Sequence, residues 1–162
     1  MLKEINIRDL KKSPVEMIAD DWALLTAGDI NDWNTMTVSW GLWGKDVVAC
    51  FVRPQRHTFG YMERNDTFTL SFFDGEYKKE LGLCGSKSGR DVDKAKETGF
   101  VPIDVDNAVS FEQANVVMVL KKIAACDMTP DSFIYESIMD NYANGDFHKI
   151  YVGKVEKVYI KS

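Results

Sequence analysis

The apolar positions of the chain fall into short bursts. WALLTAG at 22–28, TMTVSW at 35–40, VVACFV at 47–52, FTLSFF at 68–73, NVVMVLKKIAAC at 115–126 and FHKIYVGKVEKVYIK at 147–161 are rich in β-branched and aromatic residues, with turn formers between most of them. That pattern predicts about six strands. VVACFV is apolar enough throughout to predict burial on both faces. In NTMTVSWG, alternation points Met36, Val38 and Trp40 to one face and Thr35, Thr37 and Ser39 to the other. A half-solvated strand explains that row of hydroxyls, and so does a strand that sets Asn34 and its backbone against the edge of a planar ring.

Helix signals are fewer. Ser13, Pro14 and Glu16 form a capping box that predicts a short helix before WALLTAG. The long segment from Asp74 to Asn115 predicts helices near 77–81 and 92–98, and Thr129 with Pro130 opens another that carries Ile134, Ile138 and Tyr142 on one face. Asn144-Gly145 ends it. Strands and helices do not alternate regularly, which disfavours a doubly wound parallel sheet and favours an antiparallel, mainly β barrel with peripheral helices.

Composition narrows the function. A chain of 162 residues with 45% hydrophobic residues suits one domain spanning 1–162. The net charge of -5 argues against a protein that coats nucleic acid or an anionic membrane, and no window approaches the roughly 20 apolar residues that span a bilayer. Cys50, Cys84 and Cys126 have no CxxC spacing, and the amino-terminal stretch does not resemble a signal peptide, so a soluble protein of the reducing cytoplasm is expected. Cys50 and Cys126 lie in apolar runs and read as packing residues. No metal site is expected, because His57 and His148 are far apart and lack a carboxylate cluster of ligand spacing.

Two basic loops stand out against this acidic background. RPQRHT follows VVACFV: Pro54 is expected to hold its neighbourhood extended, Arg53 and Arg56 offer forked donors suited to phosphate, and Thr58 is placed to cap a short helix carrying Phe59 and Met62. In GSKSGRDVDK, Gly85 and Gly89 allow close backbone approach, Ser86 and Ser88 add hydroxyls, and Lys87, Arg90 and Lys94 add charge before a helix. Neither a P-loop nor a GxGxxG fingerprint is present. An exposed basic loop and a flexible Gly/Ser loop would account for each piece taken alone.

In sequence, NTMTVSWG, FVRPQRHT, ERNDTFTLSFF, LGLCGSKSGRDVDK and DFHKIYVGKVEKV resemble the flavin reductase-like family of FMN-binding split β-barrels, in particular its small flavoredoxin-like members. The resemblance runs from about Trp33 to the last strand, and the combination of RPxRxT with SGRDxDK is its specific part. It implies a homodimer that holds FMN non-covalently near the subunit interface. By that resemblance Asn34, Thr35, Met36 and Thr37 lie along the isoalloxazine ring, and Arg53, Pro54, Arg56 and Thr58 approach the ring edge and phosphate. Ser86, Lys87, Ser88, Gly89 and Lys94 complete the phosphate site. It also implies a flavin reductase fed by NADH or NADPH, with a flavoredoxin-like electron carrier and a non-catalytic FMN-binding module as the alternatives.

Overall fold

The computed structural model describes residues 2–13, 16–39, 41–44 and 46–161. In chain order the strands are β1 (Leu2–Ile5), β2 (Ala23–Asp29), β3 (Asp32–Val38), β4 (Gly41–Gly44), β5 (Val47–Val52), β6 (Thr67–Phe72), β7 (Pro102–Val105), β8 (Ala108–Phe111), β9 (Val116–Asp127) and β10 (Lys149–Lys161). The α-helices are α1 (His57–Arg64), α2 (Lys78–Ser86) and α3 (Lys94–Thr98). Eight strands form one antiparallel sheet in the order β3-β2-β6-β9-β10-β5-β4, with β1 added to β10, and β7 pairs with β8 in a separate hairpin. All six expected strands are present, with Trp40 outside the described residues. The short strands β1, β4, β7 and β8 are additional.

The sheet separates two apolar layers, and β2 serves both. Ala23, Leu25 and Ala27 face an inner core with Phe68, Leu70, Phe72, Met118, Leu120 and Tyr151. Leu24 faces an outer core with Phe73, Leu81, Cys84, Phe100, Phe111 and Val117. The two-sided burial expected of VVACFV is found instead on β2, on β6 from Phe68 to Phe72 and on the first five residues of β9. On β5, Val48, Cys50 and Val52 are buried while Val47, Ala49 and Phe51 are half-buried, because the outer layer covers the other end of the sheet.

Some local readings change. Glu16 accepts a bond from Ser13 N at 3.2 Å, as half of the capping box, but the turn that follows at Glu16–Asp21 is π-helical; Pro14 lies outside the described residues. The helix expected from Pro130 to Tyr142 is two 3-10 pieces, Pro130–Ser132 and Glu136–Tyr142, and Ile134 between them is 93% exposed. Tyr142 alone of the expected apolar face is buried, because it stacks on Phe147 and Phe133 rather than continuing a helical stripe. Cys126 is exposed, since β9 runs past the end of its pairing with β6 at Lys121.

Helix α1, which carries part of the site, is held at both flanks. Tyr151 Oη donates to Glu63 Oε1 at 2.6 Å and Lys149 Nζ bonds Glu63 Oε2 at 3.0 Å. On its other side, Tyr61 Oη and Arg64 Nη2 both bond the Asp32 carboxylate at the β2–β3 turn. These contacts fix the helix against strands remote in sequence.

Gly153 lies where β10 bulges between Val152 and Gly153. A Cβ there would sit 2.7 Å from Phe68 Cζ and 3.0 Å from Leu120 Cβ, both side chains being fully buried. Gly153→Ala is expected to overpack the inner core and reduce stability by about 1–3 kcal/mol in denaturant unfolding. An unchanged midpoint would show that Phe68 has room to yield.

Candidate functional site

A cavity of about 420 Å³ opens between β3, the start of α1 and the loop that joins α2 to α3. Its lining includes Asn34, Met36, Thr37 and Ser39, residues 55–58, the continuous run 84–91, and Lys94. Four of these side chains are cationic, Arg56, Lys87, Arg90 and Lys94, and only Asp91 is a carboxylate. Cavities of similar or larger size lie elsewhere with the opposite balance. One beside β1 sets Arg8 and Lys157 against Glu4, Asp46 and Glu156, and one near Leu2 sets Lys161 against Asp104 and Glu112. Of these three cavities, this one alone carries an excess of positive charge.

The walls are joined by specific bonds. Arg56 N donates to Arg53 O at 3.1 Å, closing a turn with Pro54 in its second position, so RPQR turns rather than staying extended. Arg56 supplies the backbone cap of α1. Thr58 lies inside the first helical turn, where its buried Oγ1 accepts from Asn34 Nδ2 at 2.6 Å instead of capping. A Cβ on Gly89 would collide with Asn34 Oδ1, so only glycine lets the loop approach β3 this closely. Asn34 thus sits between α1 and the Gly/Ser loop.

The hydroxyl row is covered at Thr35 and Thr37, while Ser39, just beyond β3, is exposed. Thr35 Oγ1 donates to Leu25 O at 3.1 Å, which leaves Thr26 Oγ1 as the donor in the 2.8 Å bond between the two threonines. Thr37 Oγ1 donates to Leu81 O of α2 at 2.6 Å. Lys94 Nζ, on a side chain nearly removed from solvent, donates to Thr35 O at 2.9 Å and Cys84 O at 2.6 Å. Burial lowers its pKa, and the nearby Cys84 opposes that shift. Burial likewise pushes the Cys84 thiol up to about 11, which marks it as an unreactive packing residue.

Of the residues singled out by sequence, Asn34, Met36, Thr37, Arg56, Thr58, Ser86, Lys87, Ser88, Gly89 and Lys94 line the cavity. Thr35 is buried behind it, and Pro54 is exposed on the turn outside it. Arg53 lies in an adjoining cavity of about 150 Å³ with Phe51 and His148, which shares Met36, Thr37, Ser39 and Arg56 with the first. Ser39, Gln55, His57, Gly85, Arg90 and Asp91 also line the main cavity; Ser39 stands in the hydroxyl row, His57 in RPQRHT and Gly85, Arg90 and Asp91 in the loop motif, whereas Gln55 carries no separate signal.

The model of the flavin reductase like domain matches residues 17–162, nearly the whole chain. The chain belongs to the flavin reductase-like domain family. No curated protein matches it. Among solved structures, an FMN-binding protein from Thermus thermophilus superposes with a TM-score of 0.69 at 18% identity, over 99% of this chain and 82% of that one. Flavoredoxin of Desulfovibrio vulgaris gives 0.69 at 18% identity, over 94% and 78%. The NADH:FAD oxidoreductase of Streptomyces globisporus, in complex with NAD and FAD fragments, gives 0.64 at 14% identity, over 87% and 74%. At these identities the likeness is one of fold: the FMN-binding split β-barrel with peripheral helices.

In this flavin reductase-like domain the smaller cavity is shaped by a strap that precedes β10. Arg53 Nη1 pairs with Asp146 Oδ2 at 2.7 Å, Nη2 donates to Asn141 O at 3.1 Å, and the guanidinium lies 4.9 Å from the Tyr142 ring centre. That pairing holds the Asp146 carboxyl below its usual range. Of these strap residues Asp146 opens the DFHKIYVGKVEKV segment, but its pairing with Arg53 carries no local signal, because it joins segments about 90 residues apart. His148 Nδ1 bonds Tyr142 Oη at 2.7 Å, and burial, followed by the charge of Arg53, lowers its pKa to about 4. His57 is lowered by burial and then by Arg90.

Both imidazoles are therefore neutral at pH 7. An ordinary unfolded histidine titrates near ~6.5, above the folded value of His148, so the unfolded chain binds the extra proton between the two values. Stability is expected to be full above that window and to fall as pH drops through it toward about 4. Denaturant midpoints measured across the window should show the fall, and His148→Gln should flatten it. An unchanged slope in the variant would assign the pH dependence to other groups.

Proposed function

We propose that the chain binds FMN in the 420 Å³ cavity and acts as an NAD(P)H-dependent flavin reductase. The observation that carries this reading is the convergence of four cations against one carboxylate in a chain of net charge -5. A phosphate monoester brings about -1.5 to -2 charges at pH 7, which the rest of this surface would repel. Lys87, Arg90, Ser86, Ser88 and the backbone beside Gly89 form the phosphate end. Asn34, Met36 and Thr37 would hold the ring. Bound FMN supplies the hydride and electron chemistry, accepting from a nicotinamide and passing to a flavin or another acceptor.

Of the two RPQR arginines, Arg53 is offset by Asp146, whereas Arg56 bonds the neutral carbonyl of Gly85 at 3.0 Å. Arg56 is thus the cation that favours an anionic reduced ring. The NADH:FAD oxidoreductase among the structural neighbours supports a nicotinamide donor, and the flavoredoxin neighbours favour a second reading, an electron carrier reduced by another protein. The purified protein is expected to take up FMN, show a flavin spectrum and bleach anaerobically with NADH or NADPH. Flavin that binds but stays oxidised would favour the carrier, and no uptake would remove both. Lys87→Gln and Arg90→Gln should each weaken FMN roughly tenfold while leaving riboflavin binding unchanged.

A second copy of the chain belongs to the same proposal. Phe51, Ile150 and Cys126 form one cross-strand row on β5, β10 and β9, and Ala49, Val152 and Ala124 form the next. All six are half-buried or exposed, giving an apolar face beside the smaller cavity that Phe51 also lines. Sedimentation should give a dimer, and Val152→Glu a monomer with weaker FMN binding. A monomeric parent protein would refute this part.

A further inference from the structure

The main cavity adjoins the wrong end of a helix for an anion. Residues 84–86 of its lining form the carboxy-terminal turn of α2, whose carbonyls lack donors within the helix and, with the helix dipole, carry about half a negative charge. The phosphate proposed for this cavity would meet that field directly. Two cations act on it from within the protein. Lys94 Nζ bonds Cys84 O, and Arg56 Nη1 bonds Gly85 O. Leu83 O, one residue earlier, is already taken by Lys87 N and Ser86 Oγ. The carbonyls of Leu83, Cys84 and Gly85 are thus bonded one after another, two of them by charged donors.

Lys94 differs from the other cations of the lining. Arg56, Lys87 and Arg90 are exposed, but Lys94 is 7% exposed and reaches across from α3 to bond Thr35 O of β3 as well as Cys84 O of α2. A buried ammonium without carbonyl or carboxylate partners is strongly unfavourable, and here two carbonyls meet it. The same two bonds tie β3, one wall of the cavity, to α2, another.

We infer that Lys94 is a positioning residue and not a phosphate ligand: it clamps β3 to the carboxy-terminal end of α2 and neutralises that end, so that the exposed cations can receive an anion beside it. This rests on the FMN reading above for its ligand, but not for its geometry. Lys94 is then required for both walls of the flavin site, whereas Lys87 is required for the phosphate alone.

Lys94→Met keeps the aliphatic stem and removes the ammonium. The expected result is a lowered melting midpoint of the flavin-free protein, with FMN and riboflavin affinity both weakened about tenfold or more, so that their ratio stays near that of the parent. Lys87→Met, measured alongside, should weaken FMN alone and change the ratio. If Lys94→Met instead reduces the ratio as Lys87→Met does, with the flavin-free midpoint unchanged or raised, Lys94 is a phosphate ligand and the clamp is wrong. Should Lys94→Met not fold, Lys94→Gln retains a neutral NH2 donor group: a preserved FMN-to-riboflavin ratio supports the clamp and a reduced ratio overturns it. If the parent protein binds neither flavin, the FMN reading fails. The flavin-free midpoint then decides the clamp alone, a fall supporting it and no fall refuting it.

Discussion

The site depends on how β3 ends the sheet. This strand is paired with β2 on one side only, and a strand at the end of a sheet must find other partners for its polar groups. Here those partners are a helix and a lysine. Thr37 Oγ1 bonds Leu81 O and Thr35 O takes Lys94, so α2 and α3 are docked onto the strand by its own hydroxyl and carbonyl groups. Asn34 on the same strand bonds Thr58 of α1. Three helices are thus referred to a single strand, and the cavity is the space left among them.

Much of this was legible in the chain, and what was not has physical causes. The six principal strands announced themselves by β-branched and aromatic runs bounded by turn formers, and the two basic loops by charge placed beside glycine and serine. Strands such as β1, β4, β7 and β8 are only four residues each and are set by pairing, which no local pattern encodes. The hydroxyl row was visible, but whether it faced water or a helix depended on where α2 packs. Thr35 and Thr37 satisfy their hydroxyls internally, an outcome that composition alone does not distinguish from solvation. At Pro130 the helical start capped by Thr129 is the one the sequence predicts, but an aromatic cluster of Phe133, Tyr142 and Phe147 overrides helical continuity.

The electrostatics also separate two scales. Net charge describes the whole surface and excludes broad partners, while local placement decides what a cavity accepts. RPQRHT and GSKSGRDVDK meet only in three dimensions, where Arg90 Nη1 bonds Gln55 O at 3.2 Å and joins the loops directly. Within that cluster not every cation has the same task. Arg53 is committed to the strap and Lys94 to backbone carbonyls, so the count of basic residues in a motif overstates the number available to a ligand.

The strap's attachment to Arg53 bears on biosynthesis. β10, which follows the strap, pairs with β1, β5 and β9 and is the element through which the two halves of the sheet meet. The β3 and α1 walls of the cavity are translated early, but β5 lacks its β10 neighbour, and Arg53 its counter-ion, until the ribosome reaches residues 146–161, the last tenth of those described. Contacts of such high sequence separation form slowly and late. Any ligand that needs Arg53 paired with the strap and β5 flanked by β10 therefore finds that arrangement only after these late residues have been made, and does not template the folding of the segments before them.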